Sequence, residues 1–143
     1  KLAYGAKYDQ VMEGPVTIAL FTDTDLQKRA RKIARVGGVK NFTDEQLQYF
    51  MQNLPAEFAR YDAQQTSDYL ALNAGLVAMN LVLALTDQGI GTNIILGFDK
   101  SKINEVLDIE ERFRPEVLIT VGYAAEKVEP SYRLPVDEII DKR

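Results

Sequence analysis

The sequence contains no cysteine, no histidine and no tryptophan. Without cysteine there is neither a disulfide framework nor a thiolate nucleophile, and without histidine there is no imidazole base and no Ser-His-Asp triad. Zinc sites of the usual kind are excluded too, because Cys and His supply most of their ligands, and no metal ligands are assigned. What remains is carboxylate chemistry, lysine chemistry, or chemistry carried by a bound cofactor. Positive charge is also short: 17 Lys and Arg against 21 Asp and Glu give a net charge of −4. That balance argues against a nucleic-acid partner, since phosphate contacts need a clustered positive surface. The one cationic cluster, Lys28, Arg29, Arg31, Lys32 and Arg35, interleaves with Ala30, Ile33, Ala34 and Val36. It reads as the solvated face of an amphipathic helix. No signal of a basic stretch followed by an apolar one opens the chain, so a cytoplasmic location is the default expectation.

With 143 residues the chain has room for one domain with a real core. Val16 to Phe21 is a short β-branched run after Gly14-Pro15 and reads as a buried strand. Asp23-Thr24-Asp25 ends it and caps the basic helix, which Gly37-Gly38 terminates. Thr43 and Gln46 fit a capping box, and the helix they open runs towards Asn53. A further helix starts near Pro55, with a break expected at Thr66-Ser67, and continues to Gly89. Thr92 to Leu96 is a second strand, Asp99 or Ser101 caps a short helix through Leu107, and Glu116 to Tyr123 is a third strand. Val136 to Ile140 forms a closing helical turn. Three short strands are few for so much helix, so either strands are missing or a partner supplies them.

Tyr69 to Leu85 is apolar almost throughout, yet shorter than the roughly 20 residues a lipid span needs, and Asn73 and Asn80 interrupt it. It reads as the core helix of a non-membrane protein. Ala71, Ala74, Gly75 and Ala78 recur at helical spacing as a narrow stripe of small residues, and the two Asn lie nearly opposite. A small domain cannot cover such a helix on every side, so part of it is expected to meet a second subunit. Asn73 either faces a polar ligand or bonds to neighbouring backbone; its spacing leaves both open.

Gly89-Ile90-Gly91 does not make a dinucleotide-binding loop, because the helix precedes it and the strand follows, the reverse of the order that aims phosphate at a helix N-terminus. Asp23-x-Asp25 at a strand end resembles the first motif of haloacid-dehalogenase-like phosphotransferases. Gln27 stands where Thr or Val is expected, and helix capping explains both carboxylates more simply. Asn93-Ile94-Ile95-Leu96-Gly97-Phe98-Asp99 and Ser131-Tyr132-Arg133-Leu134-Pro135 are more telling. With the helix ending in Gly89-Ile90-Gly91-Thr92 and the strand ending in Val121-Gly122-Tyr123, they occur in an order that resembles the C-terminal part of the FMN-dependent nitroreductase family. The resemblance covers about residues 60 to 138.

It implies an α+β fold, a nitroreductase-like α/β/α sandwich over residues 1–143 that lacks the family's N-terminal segment. The long helix would be the core of a homodimer, and a C-terminal extension would reach the partner subunit. It further implies FMN as cofactor, NAD(P)H as electron donor and a nitroaromatic, quinone or flavin acceptor in a ping-pong cycle. No side chain is then needed as a catalytic group, because the flavin carries the reaction. Leu96 and Gly97 would lie beside the reactive edge of the flavin and Ile94 and Ile95 against its face. Arg133 would grip the phosphate, with Ser131 nearby. Some members carry Pro and Glu in place of Ile94 and Leu96, and some carry Lys in place of Ser131, so those side-chain contacts would be absent here. The aromatics Tyr49, Phe50, Phe58 and Tyr61 are weak candidates to cover the substrate side from the other subunit. The alternative is a non-catalytic helical dimer module that kept the fold and lost the flavin.

Overall fold

The computed structural model describes residues 6–38, 42–126, 129 and 131–141. Its elements are α1 (Ala6–Glu13), β1 (Val16–Asp23), α2 (Leu26–Gly38), α3 (Asp44–Gln48), a π-helical turn (Tyr49–Asn53), α4 (Leu54–Phe58), α5 (Ala63–Asp87), β2 (Gly91–Ile95), α6 (Ile103–Val106), β3 (Phe113–Gly122) and α7 (Val136–Ile139). The strands form one antiparallel sheet in the order β1-β3-β2, with the last strand in sequence at its centre. Central position explains the composition of β3: both faces are covered, so Val117, Leu118 and Ile119 are all buried.

Alternation along the strands divides the core in two. Ile95 and Leu118 face one side, where they pack with Phe98 and Ile103 and with Tyr8 and Val11 of α1. Val117 and Ile119 face the other, against Ala78, Leu81 and Val82 of α5. The result is the α/β/α layering expected from the resemblance. The sheet's register shifts between Leu20 and Phe21, which pair with Val117 and Pro115, so Glu116 is an extra residue in β3. A bulge also explains how a proline sits in a central strand, since the ladder hydrogen bond it cannot donate is already interrupted there.

Local signals set most boundaries. Asp25 Oδ1 accepts from the Lys28 amide at 3.0 Å and starts α2. The Thr43–Gln46 capping box is formed in both directions. The break expected at Thr66-Ser67 falls earlier, at residues 59–62. There Asp62 accepts from the Gln65 amide at 2.7 Å while the Gln65 side chain accepts from the Asp62 amide at 3.0 Å. Gly89, at φ 72°, ends α5 as a left-handed C-terminal residue. Two further expectations are corrected. Asp99 does not cap α6; its Oδ1 accepts from the Ser101 amide and hydroxyl in a local turn, and α6 begins without a side-chain cap. β3 begins at Phe113, three residues before the expected start.

Candidate functional site

Strand β2 has its last residue paired with β3 at Ile95, so the backbone of Leu96 and Gly97 lies past the paired region. Here the chain runs beside α5 and leaves a groove of about 350 Å³. One wall is the small-residue stripe Ala71, Ala74, Gly75 and Ala78; the other is Ile94 and Leu96. Small side chains on the helix create the space, because Ala and Gly keep its surface back from the strand. A Cβ added at Gly97 would meet nothing within 4 Å, so the space beside the main chain there is open. Lys100, Glu116 and Val117 also border the groove. Apolar walls with a few polar groups and a volume of a few hundred Å³ are the usual make-up of a small-molecule site.

The structure brings Ile94 and Leu96 to this place, 40% and 69% exposed; Gly97 follows Leu96 in the chain but is not among the residues lining the groove. Ile95 is not with them. Strand alternation turns it to the opposite face, where it is fully buried against Phe98, Ile103 and Leu118. Asn73 is also elsewhere. Its Nδ2 donates to the Tyr69 carbonyl at 2.7 Å, and it borders a separate cavity of about 410 Å³ formed with Phe21, Leu26, Phe58 and Phe113. Of its two open readings, the bond to neighbouring backbone is the one seen. Ser131 and Arg133 are exposed and do not line the groove. The Arg133 guanidinium donates to the adjacent Tyr132 carbonyl at 2.8 Å. Asp23 and Asp25 are both engaged in capping, accepting from the Asp25 and Lys28 amides.

Glu116 also borders this groove, and no sequence motif marks it. It is only 8% exposed. Its Oε1 accepts from Thr22 Oγ1 at 2.6 Å and from Arg114 Nε and Nη2, each at 2.7 Å. Arg114 in turn donates to the Ser67 hydroxyl at 2.7 Å and the Ser67 carbonyl at 3.0 Å, tying the first turns of α5 to the sheet. A burial-competent partner two residues upstream of a strand Glu is the only trace this leaves in the sequence.

Close to Gly97, the Ser101 hydroxyl donating at 2.6 Å holds the Asp99 carboxyl below the usual range. Partial desolvation opposes this, while the Ser101 amide and Lys102, 3.4 Å away, add to it. The aromatic candidates pack on one another: Phe50 lies between Phe42 and Tyr49, and Phe58 meets Tyr61 and Tyr69 with centroids 5.3–5.5 Å apart. The charge of Glu57, whose carboxylate accepts from the Tyr49 hydroxyl at 3.3 Å, raises the Tyr49 phenol above its ordinary value.

An antiparallel sheet backed by one long helix, with an apolar groove where a strand runs out beside that helix, defines an α+β fold. Comparison with known proteins gives it a family. The nitroreductase family model matches residues 3–123. A Streptococcus pyogenes protein called "Putative NAD(P)H nitroreductase Spy0809" is 62% identical over 134 residues, which cover 94% of this chain and 66% of that one. Among solved structures, a nitroreductase family protein from Streptococcus pneumoniae superposes with a TM-score of 0.94 at 82% identity, over 99% of this chain and 71% of that one. A "putative nitroreductase in complex with FMN" from Exiguobacterium sibiricum superposes with a TM-score of 0.87 at 28% identity, over 99% and 70%. The chain belongs to the nitroreductase family. It spans about two thirds of the length of these relatives.

Proposed function

We propose that the protein is an FMN-dependent oxidoreductase that works as a homodimer, with the flavin in the groove between β2 and α5. The observation that carries this reading is the apolar groove between Leu96 and the small-residue stripe, with open main chain at the next residue, Gly97. It supplies backbone amides at the edge of a flat slot, in a family one of whose solved members holds FMN. When bound, the flavin supplies the two-electron chemistry, taking hydride from NAD(P)H and passing electrons to a nitroaromatic, quinone or flavin acceptor in a ping-pong cycle.

The chain's own residues bind and orient. Ile94 and Leu96 exclude water from one face of the slot, and the amides at Leu96 and Gly97 offer donors where negative charge develops. Arg133, with Ser131 beside it, takes the phosphate, a role suited to a forked and permanently charged guanidinium. Their position away from the groove fits an arm that closes only in the assembled protein: Tyr132, Leu134, Val136, Ile139 and Ile140 around them are all more than half exposed. The partner subunit would cover α5, where Leu72, Leu76, Met79 and Leu83 recur at i, i+4, i+7 and i+11 and are 48–65% exposed. Met79 borders both that seam and the groove.

The test is spectroscopic. The intact protein should purify yellow and release FMN on denaturation, and Arg133→Ala should weaken flavin retention about tenfold with unchanged melting, the worth of a charged hydrogen bond. Colourless protein that takes up no added FMN would instead leave the flavin-free dimer module.

A further inference from the structure

The cavity that Asn73 borders, about 410 Å³ in volume, lies apart from the groove between β2 and α5 and shares no lining residue with it. The two flank different sides of α5: Tyr69 and Asn73 border the cavity, Ala71, Gly75 and Ala78 the groove. The cavity's wall on α2 is a single helix face, because Leu26, Arg29, Ala30 and Ile33 recur at i, i+3, i+4 and i+7. Phe21, Phe58, Tyr69 and Phe113, from β1, α4, α5 and β3, add aromatic walls. Arg29 is the only cation in this lining; Lys28, Arg31, Lys32 and Arg35 border a separate hollow on the outer side of α2. The Arg29 side chain makes no hydrogen bond or ion pair among the described residues. Asp23, the one carboxylate in the lining, already accepts from the Asp25 amide at 3.1 Å. α2 itself carries five cations and no carboxylate, so its field favours an anion. A ring-lined cavity with one uncommitted guanidinium fits a flat apolar body bearing a single negative charge.

We propose that this cavity is a second ligand site, one that takes an aromatic monoanion, a ring system bearing one carboxylate or sulfonate. The four aromatic side chains bury the rings, and Arg29 takes the anionic group through its forked N–H donors. The site is independent of the flavin reading, since none of its walls belongs to the groove.

The test compares anilinonaphthalene sulfonate with phenylnaphthylamine, which keeps the rings and lacks the sulfonate. Binding to the intact protein is measured by equilibrium dialysis, with and without saturating FMN. The wild type should bind both at one site that FMN does not empty. Arg29→Gln should weaken the sulfonate about tenfold, the worth of a charge-assisted hydrogen bond, and leave the neutral amine unchanged. Lys28→Gln removes the same charge from the outer side of α2 and should change the sulfonate by less than about twofold. Asn73→Trp, which sets a large ring system at the cavity's edge, should lose both probes. Wild-type protein that binds neither probe, or releases them to FMN, overturns the proposal. So does an Arg29→Gln variant that weakens both probes equally or neither, or a Lys28→Gln variant as impaired as Arg29→Gln. In each of these outcomes the flavin reading stands or falls on its own test.

Discussion

At the scale of single residues, several side chains near the groove are held by one hydroxyl or one guanidinium. Asp99 is the clearest case, because the Ser101 hydroxyl is the largest cause of its lowered pKa. Ser101→Ala should raise that pKa towards the usual carboxylate value, as followed by carboxyl-carbon NMR titration. The sign for stability follows from the direction. A carboxyl depressed in the folded state contributes fully above its ordinary pKa, and the contribution is lost as pH falls through the depressed folded value. The variant should therefore lose less stability between neutral pH and acid than the parent does. Ile94 and Leu96 share the groove while Ile95 faces away from it; a motif read as a string does not show that neighbours in a strand face opposite ways. Glu116 was illegible for a different reason: its burial comes from Arg114 and Thr22, and Thr22 is 94 residues away.

At the scale of elements, the sheet depends on its central strand. Ile119 has no exposed surface and packs between β1, β2 and α5. Ile119→Ala should cost about 2–5 kcal/mol in denaturant unfolding, the range for emptying a buried aliphatic site; a loss under about 1 kcal/mol would mean that the sheet is not packed as described. Elements with strong local signals were readable from sequence, among them β1, β2, the Thr43 capping box and the Gly89 stop. The Asp62–Gln65 capping box is equally local and sets the break before α5 four residues ahead of Thr66. The start of β3 was hidden by Pro115, a residue that argues against a central strand until the bulge beside it is known. The π-helical turn at Tyr49–Asn53 leaves no composition signal, because what makes it is the Leu54 amide reaching the Tyr49 carbonyl rather than any residue type.

At the scale of the whole molecule, the most consequential feature is what α5 leaves uncovered. Only Leu70, Ala74 and Ala78 of its 25 residues are buried. By length and hydropathy alone it could cross a membrane, but one side of it is committed to the sheet. An apolar seam this long on a helix asks for a second helix. For the homodimer proposed above, Leu72→Asp with Leu76→Asp should give monomer in light scattering at micromolar concentration while leaving the sheet's circular dichroism intact; a dimer that survives both substitutions would place the interface elsewhere, and a wild-type monomer would overturn the proposed assembly. Met79 stands on the border of seam and groove, and that shared border has a thermodynamic consequence. If seating one neighbour against its thioether improves the fit of the other, the gain is reciprocal: the factor by which assembly tightens the ligand is the factor by which the ligand tightens assembly. Dilution would then bleach the protein, and saturating it with ligand would hold the two copies together at concentrations where the empty chains drift apart.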